Sequence, residues 1–136
     1  ALLTATYPDL GVRVLNTGIS GNTVRHLAER WQGDVLALAP DWLSVMIGTN
    51  DVWRQFDRLD EPVGPTDYEQ LYRSLLARSR PRLRGLVLMT PFLVEPDLAD
   101  PMRARMDEYR AIVLRLAGEF GAHFVDTQAA FNAALM

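Results

Sequence analysis

Short apolar runs that alternate with amphipathic stretches constrain this chain more than any other feature. Val12-Arg13-Val14-Leu15, Trp42 to Ile47, Gly85 to Met89 and His123 to Val125 read as strands. Between them, apolar residues recur at steps of three and four. Val24, Leu27, Trp31, Val35 and Leu38 form one such stripe, and Leu71, Tyr72, Leu75 and Leu76 a second. Met102, Met106, Tyr109, Val113, Leu116 and Phe120 form a third. A strand–helix alternation of this kind brings each strand back parallel to the last. The order predicts a three-layer α/β/α sandwich with a parallel sheet and right-handed crossovers. Trp42 to Ile47 is nearly all apolar, as expected of a central parallel strand buried on both faces.

Punctuation along the chain agrees with that order. Pro40 and Asp41 end the first helix, and a polar, proline-bearing loop occupies roughly Arg54 to Pro65. Thr66 and Glu69 have the spacing of a capping box. Asp100-Pro101 starts the longest helix, with Asp as N-cap and Pro at the first helical position, and Gly121 stops it. Residues 1–136 make one domain by length. Ala1 to Pro8 reads as the last turns of a helix stopped by proline. Gln128 to Met136 reads as a helix that reaches no stop signal. Both ends are expected to be cuts in a longer fold.

Composition removes several classes of function. A net charge of −3 gives no footprint for nucleic acid. Arg78, Arg80, Arg82 and Arg84 do alternate, but cations at a helix exit are favoured by the dipole without any ligand. The chain has no cysteine, which excludes disulfides, thiolate metal sites and a cysteine nucleophile. No apolar run reaches the ~20 residues of a membrane span. The compartment stays open, with the cytoplasm slightly favoured.

Two motifs carry chemistry. Asn16-Thr17-Gly18-Ile19-Ser20-Gly21-Asn22-Thr23 follows the first strand and leads into a helix. Such a turn leaves backbone N–H groups unpaired at the positive end of a helix dipole, and its glycines allow close approach. The result suits an anion or a developing oxyanion. It matches neither a Walker loop nor the dinucleotide fingerprint. Ile47-Gly48-Thr49-Asn50-Asp51 follows the next strand. The carboxamide of Asn50 is a neutral donor at the carboxyl edge of the sheet, where open α/β folds bind ligands. Asp51 is placed to cap the next segment or to orient Asn50.

These two motifs, on consecutive strands, resemble the second and third blocks of the SGNH hydrolases, the GDSL lipase/esterase family. The order of elements agrees over essentially the whole chain. The resemblance implies an ester hydrolase that works through an acyl-serine, with no metal and no organic cofactor. It implies that Gly21 donates its backbone N–H and Asn50 its side-chain N–H to the oxyanion. Asn16 would steady the turn from behind, together with Asp51. Trp53, Phe92 and Leu93, in loops at the same edge, are the expected acyl or alcohol pocket. The substrate would be a small ester, acyl or O-acetyl.

The family's other two blocks have no counterpart here. The chain contains no Asp-Ser dipeptide, and neither His26 nor His123 follows an aspartate by three residues. The expected nucleophile and base would lie before Ala1 and after Met136, and the fragment alone would be inactive. A second reading from another class is a non-catalytic α/β binding module without nucleophile or base. A third, a flavodoxin-like nucleotide domain, lacks the Ser/Thr-rich phosphate cradle that it would want.

Overall fold

The computed structural model describes residues 2–57, 59 and 61–134. Strands β1 (Trp42–Met46), β2 (Gly85–Met89) and β3 (His123–Val125) form a parallel sheet in the order β1-β2-β3. The helices are α1 (Leu2–Thr6), α2 (Val24–Asp34), α3 (Thr49–Asp57), α4 (Pro65–Ser79), α5 (Pro101–Phe120) and α6 (Thr127–Ala134). The parallel α/β architecture read from the sequence is the one observed.

The register places Ser44 opposite Val87 and Val87 opposite His123, so alternate residues of the three strands share a face. Val45, Leu86, Leu88 and Phe124 lie on one face. They join a core built with Tyr68, Tyr72 and Leu76 of α4 and Tyr109, Val113 and Leu116 of α5. On the other face Trp42, Ser44, Met46 and Val125 are exposed. The expectation that β1 is buried on both sides, and Ser44 with it, therefore fails. Trp42 lies over Gly85, where an added Cβ would come within 2.3 Å of its ring, and stacks on His123 with ring centroids 5.7 Å apart.

The expected strand at Val12 to Leu15 is also absent. That stretch has no ladder partner among the described residues, and Val14 and Leu15 stay about half exposed. A β-branched run becomes a strand only where another strand completes its hydrogen bonds.

Helix boundaries follow their chemistry with three differences, the first being that α2 ends at Asp34, short of Pro40, and only a 3-10 turn over Leu36–Leu38 follows it. Asp100 Oδ1 accepts the N–H groups of Met102 and Arg103 at 2.8 and 3.0 Å, and Gly121 ends α5 with φ +59°. Helix α4, however, starts at Pro65 with Gly64 as N-cap, so Thr66 caps nothing. Proline's fixed φ suits the first helical position, and Glu69 binds Arg73 and Arg115 instead. The polar loop after β1 is shorter than expected, because α3 runs on to Asp57. Arg80 crosses to the end of α5, its Nε donating to Phe120 O at 2.7 Å. Between α2 and α4 the buried Trp31 and Ser79 satisfy each other. Trp31 Nε1 donates to Ser79 Oγ at 2.8 Å, and that hydroxyl donates to Leu75 O at 2.9 Å.

Candidate active site

The site begins where β1 stops. Gly48 turns the chain into α3 with φ +132°. A Cβ there would lie 2.9 Å from Pro91 Cγ and 3.1 Å from Tyr68 Oη. The Tyr68 hydroxyl donates to Ile47 O at 2.8 Å and so fixes the last carbonyl before the turn. Only glycine fits this position, for both backbone and space. Asn50 and Asp51 thereby fall in the first turn of α3, at the carboxyl end of the sheet.

The two sequence motifs meet at this point. Asn50 Nδ2 donates to Asn22 O at 3.1 Å, and Asp51 Oδ1 accepts from Val24 N–H at 2.9 Å. Arg54, one turn further along α3, donates from Nη2 to Gly21 O at 2.9 Å. Gly21 sits at φ +82°, and among the described residues its own N–H finds no acceptor. An amide nitrogen carries two N–H groups, so Asn50 spends one on Asn22 and keeps one. Asn16 Oδ1 accepts Gly18 N–H at 2.9 Å, closing the turn from its other side.

Helix α2 opens from this turn at Thr23, its N-cap. Thr23 N–H donates to His26 Nδ1 at 3.0 Å, and the threonine hydroxyl lies 2.9 Å from the same nitrogen. His26 thus reaches back to cap its own helix, with Nδ1 acting as acceptor. No serine hydroxyl bonds to either histidine among the described residues.

Asp51 is fully buried. Burial pushes its carboxyl up to about 6, against the opposing pull of Val24 N–H, its own N–H and the charges of Arg25 and Arg54. Its Oδ2 is buried without a partner among the described residues. A cavity of about 130 Å³ adjoins this cluster, lined by Thr23, His26, Arg54 and Val63 among others. A larger groove of about 600 Å³ lies between α4 and α5 and shares no residue with the two motifs.

The expected pocket residues have separate settings. Trp53 stands on α3, about half exposed. Phe92 stacks on Phe131 with centroids 4.3 Å apart, and its carbonyl accepts from the Thr49 hydroxyl at 3.4 Å, beside Asn50. Leu93 packs on the core, and Gln128 holds its backbone at both ends: Leu93 N–H donates to Oε1 at 2.8 Å and Leu93 O accepts from Nε2 at 3.1 Å. Sequence reasoning passed over Arg54 and Gln128. Arg54 had one available signal, its place four residues after Asn50 on the same helical face.

Among the described residues no group of three or more His, Asp or Glu is arranged to hold a metal ion. Among them, too, no helix is long and apolar enough to cross a membrane.

The model of the GDSL-like Lipase/Acylhydrolase family matches residues 1–135. An acetylxylan esterase of Geobacillus stearothermophilus is 53% identical over 137 residues, covering 98% of this chain and 63% of that protein. Its crystal structure superposes with a TM-score of 0.95 at 52% identity. Variants of that esterase altered at a serine, an aspartate and a histidine are described as catalytic mutants. An α/β hydrolase from the metagenome of Lake Arreo, Spain, superposes with a TM-score of 0.94 at 48% identity, over 98% of this chain and 62% of that one. The chain thus spans under two thirds of the length of these relatives.

Proposed function

Because this chain belongs to the GDSL-like Lipase/Acylhydrolase family, we propose that it is part of a serine ester hydrolase and supplies the donors that hold the oxyanion. Residues 1–136 form one domain of that enzyme. In this reading a serine attacks the ester carbonyl, with a histidine taking its proton. The carbonyl oxygen becomes an oxyanion as the tetrahedral intermediate forms. Gly21 donates its backbone N–H to that oxygen, and Asn50 donates the N–H left over from Asn22. The intermediate collapses to an acyl-serine and releases the alcohol, and water then returns the serine and frees the acid.

One observation carries the proposal. The Gly21 N–H has no acceptor among the described residues, and Asn50 is hydrogen-bonded to the very next residue, Asn22. Neutral donors held in place before the reaction favour the charge that develops over the ground state. Asn16 and Asp51 hold the two donor-bearing turns. Trp53, Phe92 and Leu93 belong to the segments that flank the site and would shape the acyl or alcohol pocket. The serine and histidine are expected from the part of such an enzyme that this chain does not span. The substrate class is a small carboxylic ester, and the acetylxylan esterase relative makes an O-acetylated sugar the first to test.

The test is hydrolysis of 4-nitrophenyl acetate and of acetylated xylo-oligosaccharides by the full-length gene product and its Asn50→Ala variant. The variant is expected to lose ~10²–10³ in turnover while remaining folded. Turnover equal to the parent would remove Asn50 from the site. A full-length product inactive on every ester would favour the binding-module reading.

A further inference from the structure

We infer that Arg54 is a positioning residue, which fixes the Gly21 turn so that the Gly21 N–H stays available to the oxyanion. The inference rests on the reading of Gly21 as a donor and extends it to a residue that touches no substrate.

Each peptide unit of the turn is planar. A peptide unit held at its C=O and at its N–H cannot rotate, because the two groups belong to one plane. Three consecutive units of this turn are held in that way. In the Gly21–Asn22 unit, the carbonyl accepts from Arg54 at 2.9 Å and Asn22 N–H donates to Ile19 O at 3.3 Å. In the Asn22–Thr23 unit, the carbonyl accepts from Asn50 at 3.1 Å and Thr23 N–H donates to His26 at 3.0 Å. In the Thr23–Val24 unit, the carbonyl accepts from Leu27 N–H at 3.2 Å and Val24 N–H donates to Asp51 at 2.9 Å. The partners that come from outside the turn and its helix are Asn50, Asp51 and Arg54, all on α3. Residues one and four apart on one helix end thus grip one turn on another.

Arg54 holds the unit that adjoins the Gly21 N–H. With that unit fixed, only the two torsions at Gly21 are left to set the direction of its N–H. Glycine is the residue least able to hold those torsions by itself. The guanidinium is suited to the task. Its side chain is 17% exposed, with Glu61 3.7 Å from Nη1 and the buried carboxyl of Asp51 three residues away on the same helix. It packs against Gly21 closely enough that an added Cβ would sit 3.9 Å from Nη2. Five N–H donors in a rigid planar fork lose less freedom per hydrogen bond than a flexible ammonium would.

Arg54→Met and Arg54→Lys in the full-length gene product test this, read by steady-state kinetics on an acetyl ester and by the amide resonances of protein labelled with ¹⁵N-glycine. For Arg54→Met we expect kcat to fall ~10–100-fold with KM little changed, and the Gly21 resonance to shift or broaden while Gly85 and Gly118 stay put. Arg54→Lys should recover part of kcat and sharpen Gly21. A parental kcat with an unmoved Gly21 resonance in a folded variant overturns the inference. If Arg54→Met does not fold, Arg54→Lys decides it in the same way, since parental kcat and an unmoved Gly21 would then show that the fork is dispensable. If the parent itself hydrolyses no ester, the ester reading fails separately, and the Gly21 resonance still tests the clamp.

Discussion

Asp51 Oδ1 accepts the Val24 amide at 2.9 Å and so joins the first turn of α3 to the first turn of α2. The bond bridges the two segments that carry the site, and it is made by a carboxyl group with no solvent exposure. That combination has a consequence for pH.

Burial raises the Asp51 carboxyl from 3.8 to about 6 in the folded chain. The folded state therefore binds its proton more readily than the unfolded state does. Stability from this group is present in full below pH 3.8 and declines as pH rises through about 6, by roughly 3 kcal/mol at most. Glu69 and Asp126 act in the opposite sense. Hydrogen bonds from Arg115 and Arg110 hold them below their ordinary values, so their stability is lost as pH falls. Urea denaturation from pH 4 to 7 of the parent and of Asp51→Asn isolates the first effect. The difference in stability between the two should grow in favour of the asparagine variant as pH rises. A difference flat across that range would show that Asp51 does not titrate there.

Gly48→Ala should be among the most damaging single-methyl changes in the chain. It adds a Cβ at φ +132° and drives it against Pro91 and the Tyr68 hydroxyl. Backbone strain and contact together should cost at least ~2 kcal/mol. The urea midpoint measures this, and a loss below about 0.5 kcal/mol would contradict the tight packing described. Gly33, with open space around its Cβ position and no positive φ, is the control and should gain slightly as alanine.

His26→Ala removes the acceptor that holds Thr23 N–H at the start of α2. The cost should be ~1 kcal/mol, as for loss of a helix cap. His26→Gln, which keeps an acceptor at the same helical position, should restore most of it. Equal thermal midpoints for parent and alanine variant would remove the capping role.

The strands that form were those with both an apolar run and a neighbour. Trp42–Met46, Gly85–Met89 and His123–Val125 satisfy each other's backbone, whereas Val12–Leu15 has the residue types but no described partner. Pairing is a property of the assembled sheet, and a single run does not carry it. The long helix was legible to the residue at both ends because Asp100, Pro101 and Gly121 act locally. The cap of α4 was misread because two acceptable starts, Thr66 and Gly64-Pro65, lie within two residues of each other. At the candidate site, Gly21 and Asn50 stand out in the sequence as the small and the amide-bearing residue of the two motifs. Their meeting through Asn22 depends on the fold, and so does the grip of Arg54: its spacing from Asn50 puts it on the same helical face, but nothing local says that this face meets the Gly21 turn.

Asn50→Asp separates a donor role from a packing role more sharply than Asn50→Ala. The carboxylate has nearly the shape of the amide, but it offers no N–H to Asn22 O or to an oxyanion. It also puts a negative charge where negative charge would develop, and next to the buried carboxyl of Asp51. In the full-length gene product at neutral pH, Asn50→Asp should therefore turn over an acetyl ester more slowly than Asn50→Ala, which only removes a donor. The gap should narrow at lower pH, where a protonated carboxyl regains an O–H to donate. If the aspartate variant equalled or exceeded the alanine variant at neutral pH, no oxyanion would be forming at that position.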